Sequence, residues 1–365
     1  MAPKAMARFR RSNTKGANQA QCGLRRPRHT HPLAMKPTPS IPPFKAYRLH
    51  AAGAAPRAEL VTLGIDELSA GDTIVRVAYA SLNYKDALAA AGKGNIVRDY
   101  PRIGGIDLVG HVVSSPDPTL HEGCAVIVHG LGVGVDHDGG FSEYARVPAA
   151  WALPLPAGLS PIDAATLGVA GYTAALSLHW LEHCGLTPDA GEVAVSGATG
   201  GVASVAIDIL SQRGYAVCAI SGKPEAKDYL LGLGARRVMA YPDAATVKPL
   251  GSGLWAGAID SVGGKTLAWL LSTTRNEGAV AAFGNAGGMA LDITVFPFIL
   301  RGVKLLGING NSPMELRRNI WRKLAGAYRP RHLERMRRVI ALEDIGGSLN
   351  DMLERRHSGR TVVRM

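Results

Sequence analysis

The sequence predicts an α/β chain in which a doubly wound parallel sheet is joined to a second, mostly-β unit. Three observations carry this. Strand and helix signals alternate from about residue 165 to 300, the pattern of a parallel sheet covered on both faces. Short strands punctuated by Gly and Pro clusters fill the stretch from 44 to about 164. Within the first of these stretches, one apolar strand runs straight into a Gly-rich turn and then a helix.

The 365 residues, 47% hydrophobic and 19% charged, are enough for two domains and a sizeable core. No apolar run reaches the roughly 18 residues of a membrane-spanning helix, so no membrane partner is expected. The net charge of +12 is concentrated at one end. Residues 1–43 carry nine Lys/Arg and no Asp or Glu, which leaves +3 for the rest. That balance argues against a nucleic-acid partner for the folded body. The extension, rich in Pro, Ser, Asn and Ala, cannot bury enough apolar surface to offset its ordering entropy and reads as disordered. A transit peptide, a nucleic-acid arm, or an extension ahead of a start near Met35 all remain open for it. The four cysteines, Cys22, Cys124, Cys184 and Cys218, are widely scattered, which fits a reduced, cytoplasmic setting.

The elements follow in order. Asp72–Tyr79 alternates at period two, as a half-buried strand does, and Gly123–His129 is another strand entered through a turn. Ala164–Trp180 is Ala/Leu-rich and helical. Then come strands at Glu192–Ser196, Ala216–Ile220, Val238–Ala240, Ala258–Val262 and Ala279–Phe283, with helices at about 201–213, 224–234 and 264–274. Val303–Ile308 is a strand, 315–340 a basic helical stretch and Thr361–Arg364 a closing strand. The expected organisation is an extension over 1–43, a catalytic domain over 44–164, a nucleotide-binding domain over 165–299, and a return to the catalytic domain over 300–365.

The sharpest motif is Glu192-Val-Ala-Val-Ser-Gly-Ala-Thr-Gly-Gly-Val-Ala203. Gly197, Gly200 and Ala203 occupy the fingerprint positions of a Rossmann dinucleotide site, with strand, helix and following strand in place. Such glycines let backbone N–H groups approach a pyrophosphate at a helix N-terminus. An NAD site usually places an acid at the end of the next strand, about twenty residues on. Ser221-Gly222-Lys223 stands there instead: a hydroxyl, a free backbone N–H and a cation suited to a 2′-phosphate. NADPH is therefore the expected cofactor, with a solvated surface lysine as the competing reading of Lys223.

No metal is expected. His121 and Cys124 sit three residues apart without partners, which does not make a tetrahedral site. His111, His129 and His137 read as surface or loop histidines.

Ser81-Leu-Asn-Tyr-Lys-Asp-Ala-Leu88 resembles the acryloyl-CoA reductase branch of the medium-chain dehydrogenase/reductase superfamily, neighbours of the quinone oxidoreductases. Gly92–Ile96, Pro101–Gly110, Trp255–Asp260, Phe296–Gly302 and Gly359–Val363 match as well, so the resemblance covers nearly all of 44–365. In the Gly-Ile-Asp-Leu-Val-Gly segment, Ile106 and Asp107 stand where zinc-using relatives carry a His-Glu pair. Ala203, where many relatives have Gly, is a departure expected to loosen or shift the turn slightly. The resemblance implies a GroES-like mostly-β catalytic domain beside the Rossmann domain, NADPH in the cleft between them, and a homodimer. It also implies that Tyr84 faces the nicotinamide, that Thr199, Gly200, Gly201 and Val202 hold the pyrophosphate, and that Ser221, Gly222 and Lys223 hold the 2′-phosphate. Tyr241 is expected near the adenosine, and Leu300, Asn311 and Arg360 in the cleft.

The expected reaction is hydride transfer to the β-carbon of acryloyl-CoA, giving propanoyl-CoA. Asn83, Tyr84, Lys85 and Asp86 form the richest cluster of suitable groups. Tyr84 is expected to position nicotinamide or substrate, Asn83 to donate to the enolate oxygen, and Lys85 or Asp86 to handle the proton. A structural Lys85–Asp86 ion pair at a helix start is the competing reading. Lys93, Arg98 and Arg102 are candidates for the CoA phosphates. The alternatives are a quinone or alkenal reductase on the same fold and, more remotely, a non-catalytic nucleotide-sensing or RNA-binding protein.

Overall fold

The computed structural model describes residues 40–53, 55–243 and 248–365. The expected disorder of 1–43 falls, but for its last four residues, outside the described residues.

The first unit contains β1 (Phe44–His50), β2 (Arg57–Leu63), β3 (Thr73–Ser81), a short helix α1 (Tyr84–Ala90), β4 (Arg102–Ile103), β5 (Asp107–Ser114), β6 (Ala125–His129), β7 (Tyr144–Val147) and β8 (Leu153–Pro154). β1 pairs antiparallel with β2 and β4. β3 is the centre of a larger sheet, flanked antiparallel by β5 and β7, with β6 and β8 continuing beyond β5. The period-two pattern of β3 serves two cores. Val75 and Val77 pack with Leu108, Val112, Val126 and Val128, while Ile74 and Ala80 pack with Phe44, Leu82 and Ile340.

α2 (Pro161–His183) leads into the second unit. Its start is set by Ser160, whose side chain accepts from Asp163 N, and by proline in the first turn. Its weak amphipathicity follows from burial nearly all round, from Ala164 to Leu178. The helix breaks at Gly168, which holds φ 49° and ψ −153°. Then follow β9 (Glu192–Ser196), α3 (Gly201–Gln212), β10 (Ala216–Ile220), α4 (Lys227–Gly232), β11 (Arg237–Met239), β12 (Trp255–Asp260), α5 (Gly264–Ser272), β13 (Thr274–Ala282), α6 (Phe296–Arg301) and β14 (Lys304–Gly307). The six strands form an all-parallel sheet in the order β11-β10-β9-β12-β13-β14. The order reverses between β9 and β12, where open α/β sheets place their ligand crevice.

The chain closes with α7 (Met314–Ala325), α8 (Leu333–Met336), β15 (Arg337–Ala341), α9 (Ile345–Leu353) and β16 (Arg360–Arg364). β16 lies antiparallel to β3, with Val362 opposite Ser81, and β15 runs parallel to β16.

Two expectations need correction. The return to the catalytic domain does not begin at 300, because β14 pairs with β13 and completes the parallel sheet; only β15 and β16 rejoin β3. Nor is 315–340 one helix. It ends at Ala325, before Gly326 and Pro330, and its last residues form the edge strand β15.

Candidate active site

The Gly-rich turn begins where β9 ends. Gly197 adopts φ +60°, and a Cβ there would come within 2.2 Å of Ser261 Oγ, so no other residue fits. Its N–H donates to the Tyr241 hydroxyl at 2.9 Å, and Gly200 N closes the turn on Gly197 O at 2.8 Å. Gly200 is the N-cap of α3 and supplies no side-chain acceptor. The first-turn N–H groups of Gly201 and Val202 therefore point outward without an intrahelical partner, ready for an anion. Gly201 lies over Arg360, and a Cβ there would meet Arg360 Cδ at 2.9 Å. Ala203 does not loosen the turn: it is buried in the main core, where a methyl group seats the helix against the sheet.

At the end of β10, Ser221 Oγ accepts from Lys223 N at 3.0 Å. Lys223 is half-buried, not a freely solvated lysine: its ammonium donates to His357 O at 2.9 Å and to Ser358 Oγ at 3.4 Å. Gly222 is exposed, 3.7 Å from the Tyr241 ring if given a Cβ. Tyr241 thus bridges the two segments expected to hold the phosphates, and burial holds its phenol above the ordinary range.

The third segment follows β3. Asn83 caps α1, but its side chain is turned inward: Nδ2 donates to Ser81 O and Asp107 Oδ2, both at 3.1 Å, and Oδ1 accepts from Arg360 at 3.2 Å. Both amide hydrogens are engaged, so Asn83 is not the expected donor to an enolate. Asp86 is buried and accepts from Asn83 N at 2.9 Å and Ile106 N at 3.0 Å. Burial first, and then the charge of Asp107, push its carboxyl up to about 7. Lys85 is exposed and forms no ion pair with Asp86 among the described residues, so the competing reading of a structural pair at this helix start is not met. Tyr84 is 43% exposed and makes no hydrogen bond among the described residues, the freest aromatic hydroxyl of the cluster.

Arg360, expected in the cleft, is instead a buried brace, 2% exposed. It donates to Thr166 O at 2.8 Å, Leu82 O at 3.0 Å and Ser81 Oγ at 2.5 Å. Asp107 completes this knot by accepting from Ser81 N at 2.9 Å, Ser81 Oγ at 2.7 Å and Val169 N at 3.0 Å. The break at Gly168 leaves a helical N–H and a helical carbonyl unpaired; Asp107 and Arg360 satisfy them. Ser81 and Asp107 were legible only as parts of motifs, and Gly168 only as a residue of the helix over Ala164–Trp180. A glycine inside an otherwise apolar helix was the one available signal for the kink.

Asn311, exposed, accepts from Leu131 N at 3.0 Å and ties the end of β6 to the segment before α7. Leu300 is 60% exposed on α6, beside Phe296 and Ile299, on an apolar surface next to the edge strand β14. Neither is joined to the phosphate turn by a hydrogen bond. Arg102 is engaged with Ser69 Oγ at 2.8 Å and Asp138 at 3.4 Å, which removes it from the CoA-phosphate candidates. Lys93 and Arg98 line one hollow of about 480 Å³ with Gly53, Pro56 and Tyr100.

His129 is neither a surface nor a loop residue. It ends β6 fully buried, with Nε2 accepting from Trp321 at 3.0 Å and Nδ1 facing Arg317 at 3.3 Å, and burial holds it neutral. Among the described residues no group of three or more His, Cys, Asp or Glu is arranged to hold a metal ion.

An alcohol dehydrogenase GroES-like domain model matches residues 69–157, and a zinc-binding dehydrogenase model matches 201–326. A Bacillus subtilis protein named as a quinone oxidoreductase, YhfP, is 47% identical over 308 residues, covering 83% of this chain and 93% of its own. Its solved structure with NAD bound is 45% identical, covers 89% of this chain and 100% of its own, and has a TM-score of 0.86. The acrylyl-CoA reductase AcuI of Ruegeria pomeroyi is 44% identical over 310 residues, covering 84% of this chain and 94% of its own. The yhdH oxidoreductase of Salmonella enterica, solved in complex with NADP, is 42% identical, covers 88% of this chain and 99% of its own, and has a TM-score of 0.86. With the parallel sheet, the Gly-rich turn and the Ser81–Leu88 segment in place, the chain belongs to the medium-chain dehydrogenase/reductase superfamily, in the oxidoreductase branch that holds the acrylyl-CoA reductase AcuI and YhfP.

Proposed function

We propose that the protein reduces the carbon–carbon double bond of acryloyl-CoA to propanoyl-CoA with NADPH. The observation that carries the cofactor is the junction of the outward N–H groups of Gly201 and Val202 with the Ser221–Lys223 segment, bridged by Tyr241. That donor set fits a dinucleotide whose adenosine ribose carries a phosphate: N–H groups for the pyrophosphate, a hydroxyl and a cation for the 2′-phosphate, and no acid at the end of β10 to repel it. The substrate class rests on the likeness to AcuI.

NADPH, when bound, supplies the hydride. The chain's own groups hold and orient. Tyr84, exposed at the start of α1, positions nicotinamide or acceptor, and with Lys85 is the group left to move a proton or to donate to the developing enolate. Asn83 and Asp86, engaged internally, position Tyr84 without touching the acceptor. Lys93 and Arg98 offer the two cations for CoA phosphates. A homodimer through the apolar face of α6, which carries Leu300, and the open edge of β14 completes this reading, with the protein working in the cytoplasm.

A quinone reductase is the second reading, favoured by the likeness to YhfP. Following NADPH absorbance with acryloyl-CoA and a simple quinone in parallel separates the two. Turnover confined to acryloyl-CoA supports the thioester reductase; turnover only with the quinone keeps fold and cofactor and overturns the substrate.

A further inference from the structure

The C-terminal segment from His357 to Val362 touches both the phosphate cradle and the residues that lead into α1. At one end it meets the phosphate cradle three times. His357 O accepts from Lys223 Nζ at 2.9 Å, Gly359 N donates to Thr199 O at 2.9 Å, and the Arg360 side chain lies directly beneath Gly201. At the other end it holds the segment that launches α1. Leu82 N donates to Thr361 O at 2.9 Å, Val362 pairs with Ser81, and the Arg360 guanidinium spans Ser81 Oγ, Leu82 O and Asn83 Oδ1. Tyr84 is the next residue. Ser81 Oγ is the pivot, donating to Asp107 while accepting from Arg360.

This segment has little freedom to yield between its two ends. Gly359 holds φ +69°, and a Cβ there would come within 2.4 Å of Met336 O. Gly201 has no room for one above Arg360. Arg360 is fully buried against the carboxylate of Asp107 through Ser81, so its guanidinium cannot leave without stranding charge. A displacement of the cradle therefore reaches residues 81–83 through rigid contacts.

We infer that residues 357–362 form a strap that couples occupancy of the phosphate cradle to the placement of α1 and Tyr84, with Arg360 as its positioning residue. Arg360 is buried, and its guanidinium is engaged with Ser81, Leu82 and Asn83, through which it acts. The inference rests on the proposed dinucleotide site but not on the identity of the acceptor.

The test uses 2′-phospho-ADP-ribose, which carries the adenosine and pyrophosphate but no nicotinamide and so cannot touch Tyr84 through the nicotinamide ring. Hydrogen–deuterium exchange is followed on the full chain with and without it. Slower exchange over 199–204, together with exchange over 82–90 slowed by at least about fivefold, is the expected result. In Ser81→Ala, which removes the pivot without removing a charge, protection over 199–204 stays and protection over 82–90 is weakened, since the bonds from Arg360 to Leu82 O and Asn83 Oδ1 remain. Arg360→Lys should behave in the same way; should it fail to fold, the Ser81 variant carries the test alone. Protection at 199–204 without protection at 82–90 in the wild type overturns the strap and leaves the cofactor reading standing. Protection of α1 that is undiminished in Ser81→Ala overturns the strap as well. Absence of protection at 199–204 overturns both.

Discussion

Lys223 Nζ rests 2.9 Å from the carbonyl oxygen of His357. A cation held on a neutral carbonyl beside the turn proposed to bind phosphate is placed to exchange that partner for a stronger, charge-assisted bond to a phosphate oxygen. Lys223→Ala should therefore raise KM for NADPH by roughly 10-fold or more while leaving KM for NADH nearly unchanged. Steady-state kinetics with both cofactors decide it; equal losses for the two would take Lys223 out of 2′-phosphate recognition.

Tyr84 has no hydrogen bond to lose among the described residues. Tyr84→Phe should leave the thermal midpoint within a degree or two, because exposed substitutions cost about 0.5 kcal/mol or less. Turnover should fall by about 10-fold or more if the hydroxyl orients or protonates the acceptor. Wild-type turnover would sink its catalytic role.

Asp86 makes a prediction about pH. Its carboxyl is pushed up to about 7 in the folded protein. The folded state therefore holds this proton after the unfolded chain has released it near pH 4. Stability should fall as pH rises from about 4 to about 7 and level off above. Asp86→Asn should remove this contribution to the slope at a fixed cost of about 1–3 kcal/mol, since an amide cannot accept from both Asn83 N and Ile106 N. Denaturant titrations at about pH 5.5 and about pH 8 compare the two proteins. Identical slopes would mean that Asp86 does not titrate in this window.

The parallel sheet was legible because its signals are local. β9 and β10 fall on the residues that apolar runs and the Gly turn mark out, since a strand buried on both faces leaves a continuous apolar signature. β14 was harder to place. Its four residues alternate between half-buried and exposed at a sheet edge, and membership of the sheet is decided by pairing with β13, twenty-odd residues away. The site divides in the same way. Gly197–Val202 and Ser221–Lys223 are contiguous motifs whose chemistry is carried by backbone and residue type. The roles of Asn83, Asp86 and Arg360 depend on which way each side chain turns and on contacts spanning almost 280 positions, such as Arg360 to Ser81. Spacing in sequence carries no trace of such contacts.

The break in α2 gives a stability prediction with an internal control. Gly168 combines a left-handed φ with a Cβ position 2.5 Å from both Asp107 Oδ2 and Ser81 Oγ. Gly168→Ala should lose about 3 kcal/mol or more, or fail to accumulate in soluble form. Gly347, inside α9, has nothing within 4 Å of its Cβ position. Gly347→Ala should be neutral or stabilise by up to about 1 kcal/mol. Urea unfolding of both variants is the measurement, and a mild Gly168→Ala would show that the knot can rearrange.

The outer edge of β14 has no strand beside it among the described residues, and Leu305 on it is exposed. Next to it, α6 turns Phe296, Ile299 and Leu300 outward, with Ile299 at 69% exposure. An unpaired strand edge beside an apolar helix face is a poor surface to leave in water, and natural sheets cover or charge such edges. A second copy related by a two-fold axis would pair edge with edge and bury the two α6 faces together, the self-complementary arrangement of most homodimers. Leu300→Asp places a charge in the middle of that face. It should shift the protein from dimer to monomer in sedimentation at micromolar concentration, while β9, α3 and their phosphate turn, at the centre of the sheet, continue to bind NADPH. A wild-type protein that stays monomeric throughout the micromolar range would refute the interface.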